Sequence, residues 1–155
     1  KTIGYIGRTL LAETKYRYSV HMLQKTNTGF FNLNKVNNQQ PIKVLEGAFD
    51  SMCVSNALSI GSCQLTRYDP QLFDHKDHVL IFDHQPRNKE VMTQLRKAIW
   101  QKRPVCIWDN KFSTKKDINL MVLSGISKHN IEEYISNNTY TGLAAQLKFQ
   151  NYVMC

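Results

Sequence analysis

The sequence predicts an α/β chain: a mostly parallel sheet flanked by helices, preceded by a partial mixed α+β segment and followed by a small helical tail. Short continuous apolar runs such as "IKVL", "VLIF" and "VCIW" alternate with longer amphipathic ones, the pattern of β-α-β units whose strands are covered on both faces. The polar tract "NKVNNQQP", closed by Pro41, marks a boundary. Beyond about residue 124 the chain reads as helix alone. These signals divide it into residues 1–40, 41–123 and 124–155.

Residues 1–40 carry three short β-type runs, "TIGYIG", "YRYSVHML" and "GFFNLNKV". From residue 41, "IKVLEG" reads as a strand, "FDSMCVSNAL" as an amphipathic segment and "LSIGS" as another short apolar run. "HVLIFDHQ" follows as a buried strand. In "NKEVMTQLRKAIWQK" the residues Val91, Leu95, Ala98 and Ile99 recur at helical spacing, with Met92 and Trp100 widening the stripe. "PVCIWD" returns to the sheet. The tail shows no strand-like run before its last residues; "KHNIEEYISNN" and "TGLAAQLKFQNY" read as helices, with Ser127 or Asn130 able to cap the first.

Among 155 residues, 42% are hydrophobic and 21% charged, the balance of a globular domain large enough to bury a core. No window approaches the roughly 18 apolar residues that cross a bilayer, so no membrane role and a cytoplasmic location are expected. The chain begins at Lys1, not Met, on what reads as a strand in progress, as a piece of a longer protein would. Cys53, Cys63, Cys106 and Cys155 lack C-x-x-C spacing, which argues against a zinc knuckle or a disulfide framework. The net charge of +8, spread without a dense Lys/Arg block, suits a polyanionic partner.

Three strand candidates finish in carboxylates, Glu46, Asp83 and Asp109, and Asp117 follows in "KKDIN". In parallel sheets ligands collect at the carboxyl ends of strands, where loops and helix starts converge. Carboxylates gathered there repel unless a cation lies between them, and hard oxygen ligands suit Mg²⁺ or Mn²⁺. With a basic surface, the expected substrate is a phosphodiester or a nucleoside triphosphate. Singly, each acid could equally cap a helix or fill a turn. No G-x-x-x-x-G-K-[ST] or G-x-G-x-x-G occurs, and Ser51, His84 and Cys53 have no partner pattern for covalent catalysis.

The order "EGAFDS", "IGS", "IFDHQ", "KKDIN" resembles the Toprim fold, shared by bacterial-type primases, topoisomerases and some nucleases. Along the whole chain the similarity narrows to primases of T-even-like phages, where a D-x-E-P-R segment and a K-D-[IV]-N segment stand in these places. The resemblance implies an end of the primase basic subdomain over residues 1–40, a Toprim domain and closing helices. It implies template-directed synthesis of short RNA primers on single-stranded DNA from ribonucleoside triphosphates, in the host cytoplasm during phage replication, beside a replicative helicase. The implied cofactor is Mg²⁺ or Mn²⁺, with zinc only in an N-terminal module that this chain lacks.

Carried over by motif, the resemblance makes Glu46, Asp83 and Asp117 catalytic and metal-binding, with Asn119 as a neutral oxygen donor. Asp50 would support the first loop, and Asp109 is a weaker supporting candidate. Arg8, Lys15 and Lys25 match positions that meet template or triphosphate, and Arg87 and Lys89 follow the second motif closely enough to reach a phosphate. One departure stands out: Gln85 occupies a position where the family has an acid, so the expected metal cluster loses one negative charge, and Gln85 is expected to serve as a weaker, neutral oxygen ligand to the metal. A Toprim nuclease, or a DNA- or helicase-binding segment silenced by Gln85, are the alternatives.

Overall fold

A computed structural model describes residues 3–10, 18–23, 29–69, 71, 77–109 and 115–153. The chain divides into two units, Lys1–Phe30 and Phe31–Cys155. In the first, β1 (Gly4–Arg8) pairs antiparallel with β2 (Tyr18–Met22). Gly4 is required by close approach, since a Cβ there would lie 2.6 Å from the carbonyl oxygen of His21. Tyr5 stacks on His21 across the ribbon at 4.7 Å, a cross-strand pair that stabilises such ribbons.

The second unit is built on a sheet of order β4-β3-β5-β6-β7 among the described residues. Its strands are β3 (Ile42–Leu45), β4 (Ala57–Ser59), β5 (His78–Ile81), β6 (Val105–Cys106) and β7 (Thr139–Tyr140). The first four run parallel, and β7 lies antiparallel to β6. Their apolar side chains are almost wholly buried: Ile42, Val44, Leu58, Leu80 and Val105 are all 0% exposed. Helices α1 (Ala48–Cys53), α2 (Lys89–Trp100), α3 (Ile118–Leu123), α4 (Lys128–Asn137) and α5 (Gly142–Val153) cover the sheet, with α1 packed on α3 and α2 on α5. The mostly parallel sheet flanked by helices is the architecture that the alternating runs predicted.

From β3 the chain steps outward to β4, then crosses back to place β5 on the other side of β3 and continues to β6. The strand order therefore reverses between β3 and β5. Beyond the carboxyl ends of that pair lies the crevice where ligands bind in open α/β sheets.

Three expectations are corrected. The run "GFFNLNKV" forms no strand: Phe31 makes an isolated bridge to Ser59, and Leu33–Lys35 form a 3₁₀ turn after Asn32, which sits at φ 66°. Asn32 explains the break, because its side chain leaves the ladder pattern and donates to the carbonyls of Ser51 and Ala57. The tail does hold a strand, β7, short enough to escape pattern reading and stabilised by the open edge of β6. Trp100, expected to widen the buried stripe of α2, is 80% exposed at the helix end. The other stripe residues, Val91, Met92, Leu95, Ala98 and Ile99, are buried.

The helix starts are specified locally. Asn88 caps α2 by accepting from the amides of Glu90 and Val91, Asp117 caps α3 by accepting from Leu120, and Ser127 caps α4 by accepting from Asn130. The polar tract before Pro41 is held by Asn56, whose side chain donates to the carbonyls of Asn37, Gln40 and Pro41 and accepts from the amide of Asn37. No helix among the described residues is long and apolar enough to cross a membrane.

Candidate active site

Glu46 follows β3 and Asp83 lies two residues past β5, so both stand at the switch-point crevice. A small cleft opens there, lined by Glu46, Asp50, Asp83 and Asp117 over a floor of Leu45, Ile81, Phe82, Trp108 and Ile118. Four acids from three stretches of sequence thus line one cleft on an apolar base. Burial makes the charges of Glu46, Asp50 and Asp83 costly to hold.

Each carboxylate has a protein donor. Glu46 Oε1 accepts from the amide of Asp83 at 3.0 Å, linking the ends of β3 and β5. Asp50, 8% exposed, accepts at Oδ1 from the amide of Asn119 at 2.8 Å, tying α1 to the start of α3. Asp117 accepts from Leu120 at 2.8 Å as a helix cap. Asp83 Oδ2 accepts from Gln85 Nε2 at 3.0 Å, and Gln85 Oε1 accepts in turn from Asn88 Nδ2 at 3.0 Å.

Gly47 explains the "EG" step. A Cβ at this position would sit 1.9 Å from Asp50 Oδ2, although the backbone, at φ −93°, would accept any residue. The glycine is there for space, so that the Asp50 carboxylate can fold back over the loop that presents Glu46.

Electrostatics follow from this burial. Desolvation pushes Asp83 up to about 7, helped by the negative charges of Glu46, Asp50 and Asp117 and opposed by Lys116. Burial also raises Glu46, against the Asp83 amide and Lys116, and raises Asp50, against the Asn119 amide. Perturbed acids sharing one cleft make it a candidate functional site.

The walls are tied to the C-terminal helices. His84, 8% exposed, donates its amide to the carbonyl of Lys116 at 2.7 Å, and its Nδ1 meets Tyr152 Oη of α5 at 3.1 Å. Trp108 Nε1 donates to the Phe82 carbonyl at 2.7 Å, and its ring stacks on Tyr134 of α4 at 5.3 Å. Burial pushes the His84 imidazole below its ordinary range.

The other anticipated residues are placed as follows. Asn119 meets the cluster through its main-chain N–H, and Gln85 through its donation to Asp83. Asp109 lies exposed beyond β6, its amide donating to Tyr134 Oη at 2.8 Å, and does not line the cleft. Arg87 and Lys89 are exposed at the start of α2. Arg8 lies over the Tyr18 ring of the first unit at 5.7 Å. Lys15 and Lys25 lie outside the described residues.

Two charged residues not anticipated from sequence add to the electrostatic field at the cluster. Lys116 acts on Glu46, Asp50 and Asp83, and Glu90, in the first turn of α2, acts on Glu46. The adjacent Lys-Asp of "KKDIN" was the available sign of the first; the second was hidden as an ordinary helix-start acid.

Four carboxylates form the hard oxygen donor set that Mg²⁺ and Mn²⁺ prefer. Among the described residues, no three His, Cys, Asp or Glu side chains are drawn together tightly enough to hold a metal ion. The residue types fit such an ion.

Comparison with known proteins agrees with this architecture. No family model matches the chain. The DNA primase of Enterobacteria phage T4 is 27% identical over 154 residues, covering 98% of this chain and 44% of that protein. The crystal structure of the Aquifex aeolicus primase, comprising zinc binding and RNA polymerase domains, superposes with a TM-score of 0.62. It does so at 14% identity, over 98% of this chain and 43% of that one. The chain is therefore similar nearly end to end to a phage DNA primase and shares its fold with a bacterial primase, while spanning less than half the length of either.

Proposed function

We propose that this chain is the catalytic part of a DNA primase, with a Toprim-type sheet, joining ribonucleotides on a single-stranded DNA template by metal-dependent nucleotidyl transfer. The observation that carries the reading is the meeting of Glu46, Asp50, Asp83 and Asp117 at the switch point of a parallel sheet. The likeness to a phage primase along nearly the whole chain supports the same reaction class.

Glu46, Asp83 and Asp117 would hold Mg²⁺ or Mn²⁺, which supplies charge neutralisation for attack of a 3′-hydroxyl on the α-phosphate of the next triphosphate. The chain's own residues prepare that site. Asp50 locks the loop bearing Glu46 to the start of α3, and Gln85, itself held by Asn88, orients the Asp83 carboxylate. Arg87 and Lys89 offer exposed positive charge beside the cleft, and Arg8, Lys15 and Lys25 belong with the template path. Single-stranded DNA and ribonucleoside triphosphates are the substrates, and a replicative helicase is the expected neighbour in the cytoplasm of an infected cell.

Incubation of the chain with single-stranded DNA, the four ribonucleoside triphosphates and Mg²⁺ tests the proposal. Labelled oligoribonucleotides that disappear in Glu46→Gln support it. Template cleavage without such products favours a Toprim nuclease. A second reading, a silenced DNA- or helicase-binding segment, is favoured by Gln85 taking up an Asp83 oxygen as donor. DNA binding with neither product would select it.

A further inference from the structure

We infer that the stacked rings of Tyr5 and His21, on the β1–β2 ribbon, form a platform on which an unpaired base of single-stranded DNA stacks. The choice of strand rests on the primase reading, which gains a contact outside the carboxylate cleft.

The register sorts the ribbon into two faces, because side chains alternate along a strand. Tyr5 stands opposite His21 and Gly7 opposite Ser19 on one face, while Gly4, Ile6 and Arg8 stand opposite Met22, Val20 and Tyr18 on the other. The second face is the apolar one and meets the unit's own chain: a Cβ at Gly29 would lie 3.7 Å from the Met22 methyl. At its end Arg8 lies over the Tyr18 ring. Over the paired positions the first face carries no aliphatic side chain.

Tyr5 is 55% exposed although His21 stacks on its ring at 4.7 Å, with the planes 16° apart. A ring covered on one side and still that exposed offers its other side to a third ring. Beside the pair the floor is low. Gly7 has no side chain, and among the described residues only Ser19 comes within 4 Å of where its Cβ would stand. A nucleotide can therefore lie against the rings without displacing protein, with the Ser19 hydroxyl as a polar contact.

Charge selects the class of ligand. The first thirty residues carry Lys1, Arg8, Lys15, Arg17 and Lys25 against one acid, Glu13, which is four of the chain's eight net positive charges. Cations that attract a phosphate backbone, joined to rings that take its bases, are how proteins hold single strands. In a duplex the base faces are already stacked on one another, so such rings select an unpaired strand. A face made for a protein partner would need apolar surroundings, and here those lie on the opposite side of the ribbon.

Fluorescence anisotropy of the whole chain with labelled oligodeoxythymidylate, and with an abasic strand of the same length, separates base stacking from backbone attraction. Tyr5→Ala should bind the thymidylate strand about tenfold more weakly, the scale of one lost stacked base. It should bind the abasic strand as wild type does and keep the wild-type salt dependence, since no phosphate contact is lost. Tyr5→Phe should keep wild-type affinity for both strands. Tyr5→Trp should show emission quenched by the thymidylate strand and not by the abasic one, beyond any change in wild type, which reads the stack even where alanine loosens the ribbon.

Tyr5→Trp emission unmoved by the thymidylate strand overturns the inference, as does Tyr5→Ala binding that strand like wild type. Self-association lost in Tyr5→Ala with DNA affinity unchanged marks a protein-docking face and overturns it too. In these cases the primase reading stands, because primer synthesis is measured separately. Primer synthesis absent with the stacking signals intact removes that reading and leaves the platform, and wild-type chain that binds neither strand overturns both.

Discussion

Asp83→Asn removes one charge from the cleft and keeps its shape, since the asparagine oxygen can still accept from Gln85 Nε2. Asp83 is pushed from an ordinary 3.8 up to about 7, by burial first and then by Glu46, Asp50 and Asp117. The native state therefore holds this proton more tightly than the unfolded chain. Stability tied to Asp83 is complete below pH 3.8 and is lost as pH rises toward 7. The interval corresponds to a ceiling of about 4 kcal/mol at roughly 1.4 kcal/mol per pH unit. Solvent screening in an open cleft brings the expected effect to about 1–2 kcal/mol. Urea unfolding in EDTA, followed by tryptophan fluorescence, should show the variant gaining that much on wild type between pH 4.5 and 8. Adding Mg²⁺ at pH 8 should reverse the order, because only wild type gains from ion binding. A stability gap that does not change with pH, or a wild type more stable than the variant at pH 8 in EDTA, refutes the account of crowded buried acids.

Other perturbations test neighbouring parts. Gly47→Ala drives a methyl into Asp50 Oδ2 and breaks its bond to the Asn119 amide; a loss of about 1–3 kcal/mol in urea unfolding is expected, and an unchanged midpoint argues against the tie. Gln85→Glu replaces a donor to Asp83 with a charge, so it should lower stability in EDTA and raise Mn²⁺ affinity; synthesis and affinity both unmoved would show that position 85 lies outside the ion's reach. Asn88→Asp keeps the α2 cap and loses the donation to Gln85, whereas Asn88→Ala loses both. The alanine variant should be less stable by about 1 kcal/mol than the aspartate, measured by thermal unfolding.

Residue patterns revealed the sheet because "IKVL", "VLIF" and "VCIW" are too short and too apolar to rest anywhere but in a core covered on both faces. The acids following them share one edge of that sheet, where the cleft gathers Glu46, Asp50, Asp83 and Asp117. Asp109 looked equivalent by the same rule. It lies three residues past Cys106, where β6 ends, so its place is set by the path beyond the strand. The part played by Gln85 was hidden because an amide is ambiguous: identity suggests an oxygen ligand, while its surroundings make it a donor. Lys116 was hidden because a lysine's reach depends on which backbone it is pinned to, here that of His84, far away in sequence. The brief β7 and the exposed Trp100 show the limit of periodicity, which cannot see an open strand edge or the end of a helix's packing partner.

The bonds that hold the cleft also set a schedule. Glu46 waits for a partner 37 residues on, Asp50 for one 69 residues on, and His84 for one 68 residues on. As the chain leaves the ribosome, β3 to β5 can pair well before Tyr134 and Tyr152 emerge to brace Trp108 and His84. Contacts so distant in sequence form late and slowly. The sheet and its acids can therefore assemble before α5 is made, and the bracing of His84 by Tyr152 is the last of these ties to form.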